Sequence, residues 1–232
     1  MWFVGRGDSS SKGTARRLAI VVVLMSYAAM LSGCAVLDGL RYNRELLALM
    51  PSASGFEWKY SGFSGYDHQM KIDAIERQVG TVRLTISGMV GDPSGGESKR
   101  DHSLRITYTV ANGVWTQEKV EEAMLDSEFD RLEILRGPIR VGTTWTQTQV
   151  DKEGRRRTLE STIAEITEEP ARTLVVYYRE RGSEYFERRR IVEGVGVVGF
   201  EKLWMSPEGN FEIGYYLFES TLGPFVYEGT PR

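Results

Sequence analysis

Cysteine is nearly absent from this chain. Its 232 residues contain one, Cys34, beside two histidines, His68 and His102, and seven prolines. A single thiol excludes an intramolecular disulfide framework. Two histidines without a cysteine partner or a His-x-x-x-His spacing give no metal-ligand pattern. Each follows an aspartate near a strand start, as Asp67-His68 and Asp101-His102, and both read as solvent-exposed turn residues rather than ligands or acid/base groups. No Gly-x-Ser-x-Gly elbow, phosphate loop or dinucleotide fingerprint occurs. Ser64, in Gly62-Phe63-Ser64-Gly65, has a turn's surroundings and no neighbouring base. Acids such as Glu118, Glu121 and Glu122 are plentiful, but a hydrolytic carboxylate pair is a matter of spatial approach that abundance does not establish. The sequence therefore predicts no catalytic, cofactor-binding or metal residues. Basic charge is also in deficit: 29 Lys and Arg against 32 Asp and Glu give a net charge of −3, which argues against nucleic acid as a partner.

Long apolar runs are missing too, with one partial exception. Lys12, Arg16 and Arg17 precede an uncharged stretch from Leu18 to Gly33, which ends in Leu31-Ser32-Gly33-Cys34 and meets Asp38 and Arg41 soon after. That is shorter than the roughly 20 apolar residues a spanning helix needs, and it has the three-part layout of an export signal, with an uncleaved anchor helix as the alternative. The tetrapeptide resembles the lipobox of bacterial lipoproteins. The resemblance implies cleavage before Cys34, acylation of its sulfur and new N-terminus, and a domain held outside the cytoplasmic membrane or at the outer membrane. Two or more acyl chains hold stably where one is marginal. Acylation would also remove the free thiol. Loss of residues 1–33 takes away four positive charges and one negative, moving the formal charge from −3 to −6. The reading divides the chain into a signal peptide at 1–33, a lipidated tether at 34–54 and an extracytoplasmic domain at 55–232. Within the tether, the spacing of Leu37, Leu40, Leu46, Leu47 and Leu49 fits either a short amphipathic helix beside the bilayer or a segment that packs onto the domain.

From Phe56 onward the pattern is that of strands. Phe56, Trp58 and Tyr60 alternate with Glu57 and Lys59; Val82, Leu84 and Ile86 alternate with Arg83 and Thr85; Leu104, Ile106, Tyr108 and Val110 alternate up to the hairpin dipeptide Asn112-Gly113. Gly91 to Gly96 reads as a loop tip. Gln117 to Arg131 breaks the rhythm and is read as one short helical insertion, with an irregular acidic loop as the alternative. The pattern restarts at Trp145, continues through Leu159, Ile163 and Ile166 and then Leu174, Val176 and Tyr178, and closes with segments 185–192, 197–205 and 211–222. Gly55-x-x-Trp58 matches Gly142-x-x-Trp145, and Ile72-x-x-Ile75 matches Ile163-x-x-Ile166, which predicts pseudo-repeats at about 55–135 and 136–232. The fold class is mainly all-β: a curved antiparallel sheet or open half barrel of about 10 to 12 strands in two similar halves, behind an N-terminal signal helix.

Leu49-Met50-Pro51, the Gly-x-x-Trp motifs, the run from Arg131 through Pro138 to Trp145 and the closing Gly194-Val195-Gly196-Val197-Val198 resemble a family of uncharacterised bacterial lipoproteins. That resemblance implies a β-rich extracytoplasmic domain and brings no activity. A likeness of architecture alone, to LolA- and LolB-type half barrels, bears on fold rather than function. Arg155-Arg156-Arg157 and Arg188-Arg189-Arg190, interleaved with Glu153, Glu160, Glu184 and Glu187, read as cross-strand charge pairs on a solvated face. The aromatics Trp58, Tyr60, Trp115, Trp145, Tyr177, Tyr178, Trp204, Tyr215 and Tyr216 read mostly as core. The functional expectation is a non-enzymatic binding module of the cell envelope, anchored through Cys34, for an apolar ligand or a protein partner. A structural or assembly lipoprotein without a cavity is the alternative, and an envelope hydrolase the third reading.

Overall fold

Period-two alternation becomes an antiparallel sheet in the computed structural model, which describes residues 39–93 and 99–225. Cys34, the signal segment and residues 94–96 of the loop tip lie outside the described residues. β1 (Glu57–Gly62) turns Trp58 and Tyr60 inward and leaves Glu57 and Ser61 in water. There follow β2 (Asp67–Gln78), β3 (Thr81–Gly91), β4 (Ser103–Ala111), β5 (Val114–Val120), β6 (Arg131–Arg136), β7 (Thr144–Val150), β8 (Arg156–Thr167), β9 (Thr173–Glu180), β10 (Phe186–Val192), β11 (Gly196–Trp204), β12 (Phe211–Ser220) and the short β13 (Gly223–Pro224). Each strand from β2 to β6 pairs with its predecessor, as does each from β8 to β12, and β1 pairs with β12. The path β6-β5-β4-β3-β2-β1-β12-β11-β10-β9-β8-β7 thus leaves β6 and β7 as its two edges.

Those edges meet without a continuous ladder, which makes the sheet a nearly closed barrel. An isolated bridge joins Phe129 to Asp151. The side-chain amide of Gln147 on β7 fills the place of a peptide group: its oxygen accepts from Glu133 N–H at 2.8 Å, and its nitrogen donates to Glu133 C=O at 3.0 Å. Tyr178 on β9 donates its hydroxyl to Ile134 C=O at 2.5 Å. Unpaired edges invite association with other chains, and here side chains satisfy the β6 edge at Glu133 and Ile134.

The helix α1 (39–48) lies over one end of the barrel. Leu46, Leu49 and Met50, at and just beyond its last turn, are buried. The Asn43 amide donates to Gly80 C=O at 2.9 Å and accepts from Gly113 N–H at 2.7 Å, tying α1 to the β2–β3 and β4–β5 turns. Gly194 N–H, in the β10–β11 turn, donates to Ala48 C=O at 2.9 Å. Tyr42 sits where glycine alone leaves room: a Cβ at Gly137 would stand 2.5 Å from its Cγ. This end, where the β2–β3, β4–β5, β6–β7, β8–β9 and β10–β11 connections gather, is the α1 end; the opposite one is the far end.

The segment 117–131 corrects the expected helical insertion. β5 runs on to Val120, residues 121–130 form an irregular loop and β6 begins at Arg131. The alternation persists, but Gln117 and Lys119 occupy inward positions after Trp115, so a polar residue stands where an apolar one would have revealed the strand. The matched motifs share local structure. Gly55 and Gly142 both have positive φ, 82° and 84°, and donate to the carbonyls of Ile72 and Ile163 at 2.7 and 2.9 Å. A bulge follows each isoleucine, shifting the β2–β3 register after Ile72 and the β8–β9 register after Ile163.

Candidate functional site: a filled interior and an open rim

Toward the α1 end the interior is apolar and filled. Trp58 Nε1 and Tyr60 OH reach across it to the carbonyls of Val195 and Val197, both at 2.7 Å. The residual chamber between Met50, Trp58, Leu84, Tyr108 and Trp115 measures about 10 Å³, room for about one water. An apolar ligand of ordinary size needs hundreds of Å³.

Toward the far end the inward side chains are polar. Arg189 is 1% exposed, with its guanidinium between the rings of Tyr178 and Phe200 at 5.1 and 5.2 Å. It stands 3.3 Å from the buried carboxylate of Glu187, which accepts from Ser127 Oγ at 2.6 Å and Tyr185 OH at 2.8 Å. The 121–130 loop folds into this mouth and carries Glu121 and Asp126 to Lys119 and Lys152. Burial opposes ionisation of Asp126, but the two ammonium groups outweigh it and hold the carboxyl below the usual range. A buried charge left without its partner costs several kcal/mol, so this network locks the loop in place.

His68 corrects the expectation of an exposed turn. It lies on β2, 4% exposed, stacked on Tyr60 at 4.4 Å and edge-on to Tyr215 at 4.6 Å. Burial chiefly, with Lys119 adding to it and Asp126 opposing, pushes the imidazole down to about 3. It is therefore neutral at physiological pH. His102 is half-buried ahead of β4, its Nδ1 3.0 Å from Val90 C=O. Ser64 occupies a 3-10 turn at φ 55°. Glu118 pairs with Arg131 on the surface, while Glu121 is tied to Lys119 and Lys152. Among the described residues no group of three His, Cys, Asp or Glu side chains is arranged to hold a metal.

The arginine triplets are split by strand parity. Arg188 faces outward to Glu201, whereas Arg189 points into the core, which corrects its assignment to a solvated face. Arg155 meets Asp151 and Glu153 in the β7–β8 turn. Arg157 grips Glu180 through two bonds of 2.7 and 2.6 Å and lies over the Tyr185 ring at 4.4 Å. Arg155 and Arg157 border a cleft of about 650 Å³ at the far end, whose walls also include Glu128, Glu180, Tyr185, Trp204 and Met205. Lys202 stands under Trp204, 4.9 Å from its ring, and donates to Glu128 at 2.5 Å. A second, shallower groove of about 430 Å³ crosses the outer face of β1, β2 and β3 at Gly88. Sequence reasoning missed the cleft because its walls come from seven connections and strands that only the closure of the barrel brings together.

No family model matches the chain, and no curated protein matches it. Two solved structures superpose on it in part. One is a protein from Parabacteroides distasonis provisionally classed as a lipoprotein, with 13% identity, a TM-score of 0.47, and coverage of 75% of this chain and 98% of that one. The other, from Bacteroides fragilis, is provisionally classed as an exported protein with a YmcC-like fold, with 11% identity, a TM-score of 0.46, and coverage of 74% and 98%. Likenesses this distant carry no inference about what the chain does. No helix among the described residues is long and apolar enough to cross a membrane.

Proposed function

We propose that this is an exported, non-enzymatic binding module of the cell envelope, anchored by lipid at Cys34, which engages a protein partner through the far-end cleft. Residues 1–33 act as signal peptide, and the halves 55–135 and 136–232 are repeats of one unit in which β7 to β12 correspond to β1 to β6. The observation that carries the reading is the contrast between the filled interior, with about 10 Å³ free, and the open cleft of about 650 Å³. A carrier of acyl chains of the LolA type needs an apolar chamber, and the chamber beside Trp58, Tyr108 and Trp115 has no room for an acyl chain. The cleft instead combines paired charges with Trp204 and Met205 at its edge, the mixture of aromatic anchor and polar rim that protein interfaces favour. A hydrolase is disfavoured because Glu121 and Asp126, the acids brought together under the far-end loop, are tied to lysines.

The test is site-specific photocrosslinking in the native host, with a photoreactive residue at Trp204 and a control at Arg83 on the outer face of β3. A discrete protein adduct from position 204 and none from 83 is the expected result. Equal adducts from both, or none from 204, would overturn the cleft as the binding face. The anchor is tested separately by Cys34→Ser, which should leave an unprocessed precursor. A variant that is still cleaved and acylated would overturn the lipid attachment.

A further inference from the structure

The α1 end exposes four aliphatic side chains on four separate segments. Leu40 on α1, Val79 at the tip of the β2–β3 hairpin, Val141 between β6 and β7 and Leu222 between β12 and β13 are 46, 103, 59 and 73% exposed. Single exposed apolar residues are ordinary, and the far end has its own in Phe63, Val120, Met205 and Phe211. What separates the two ends is the tether. Cys34 lies five residues before Gly39, and five residues span at most about 18 Å in any conformation. The far end is removed from the α1 end by the length of β2, twelve residues or about 40 Å along the strand and roughly 30 Å after barrel tilt.

Charge agrees with this polarity. At the α1 end Glu45 and Glu168 are held by Arg41 and Arg172, and Arg44 and Arg140 balance Glu169 and Glu193. That surface is near neutral in a chain whose charge after loss of 1–33 is −6, so an anionic bilayer repels it less than it repels the chain as a whole.

We propose that the α1 end is a membrane-facing surface, on which Leu40, Val79, Val141 and Leu222 rest in the headgroup layer of the bilayer that holds the Cys34 lipid. The inference rests on the lipid anchor put forward above. It gives the domain a fixed sense: the far-end cleft opens away from the membrane, toward a partner in the aqueous space.

Acylation consumes the Cys34 thiol, so one introduced cysteine becomes the only reactive thiol of the full-length lipidated protein. Val79→Cys and Val120→Cys place it on an exposed valine at the α1 end and the far end respectively. Each variant, carrying an environment-sensitive fluorophore, is reconstituted in vesicles of equal parts phosphatidylethanolamine and phosphatidylglycerol doped with headgroup-spin-labelled lipid. Insertion at the interface should quench the label at 79 at least about twofold more than the label at 120. Equal quenching, or stronger quenching at 120, in a protein whose intact mass shows the acyl chains would overturn the membrane-facing surface alone. A chain purified without acyl mass would overturn both this surface and the anchor.

Discussion

His68 offers the sharpest test of the interior. Its folded-state value of about 3 lies well below the ordinary 6.5, so between those limits the unfolded chain binds a proton that the folded chain refuses. Stability then rises with pH across that window and falls as pH drops from about 6.5 toward 3. For pH 7 to pH 5 the loss from this one group is about 2 kcal/mol, on the scale of 1.36 kcal/mol per pH unit. With a urea slope of about 2 kcal/mol per molar for a domain of this size, the midpoint should fall by about 1 M from His68 alone. His68→Phe retains a ring between Tyr60 and Tyr215 and removes the titrating group. The measurement is the urea midpoint of the domain from Ala35 to Arg232 at both pH values, for wild type and variant. Whatever the offset at pH 7, the variant should lose about 1 M less on acidification. The same pH dependence in both proteins would refute the burial of a neutral imidazole and, with it, the closed far-end mouth above it.

Three further outcomes follow from the same contacts. Gln147→Met removes the amide that bridges the seam and leaves the Glu133 N–H and C=O unpaired, which should cost about 2–4 kcal/mol in chemical denaturation and speed hydrogen exchange at Glu133; unchanged exchange there would show that the seam does not depend on this side chain. Gly137→Ala drives a methyl into Tyr42 and should cost about 1–3 kcal/mol while raising exchange through α1. The tyrosine Cβ would itself stand 2.6 Å from the new methyl, so combining the change with Tyr42→Gly should recover part of that loss, and strict additivity of the two would refute the contact. Asp126→Asn removes the carboxylate that neutralises Lys119 and Lys152, so the variant should be less stable by about 3 kcal/mol at pH 7. It should also lose less stability than wild type as pH falls below about 4, the window of a depressed carboxyl. A variant that loses stability there as steeply as wild type would refute the ion network.

The strands were legible because their apolar residues alternate, and Asn112-Gly113 was legible because a two-residue hairpin needs positive φ, seen at 53° and 73°. The errors at His68, Arg189 and residues 117–131 share one cause: residue type was allowed to outrank strand parity. His68 is in phase with Met70 and Ile72, Arg189 with Ile191, and Gln117 and Lys119 with Trp115. Extending the phase of each apolar run outward would have placed all four inside. The cleft had no such signal, because Arg157, Tyr185 and Trp204 become neighbours only when distant segments of the path curl together at the far end.

That phase also explains why the two ends differ. Along β2, β5, β7, β10 and β11 the inward side chain changes from apolar near the α1 end to polar near the far end: Ile72 to His68, Trp115 to Lys119, Trp145 to Gln149, Ile191 to Glu187, Phe200 to Lys202. An apolar layer can be closed by a helix such as α1, with two amide bonds from Asn43 and the packing of Leu46, Leu49 and Met50. A polar layer must be matched charge for charge, which is what the 121–130 loop supplies through Glu121, Asp126, Ser127 and Glu128. The loop that neutralises the interior therefore also supplies Glu128 to the wall of the cleft. Loop and cleft are coupled through Lys202, whose ammonium touches Glu128 on one side and faces the Trp204 ring on another. A partner that displaced Trp204 would act on the same lysine that anchors the loop, so the binding face proposed here is built on an internal ion network rather than on a free surface loop.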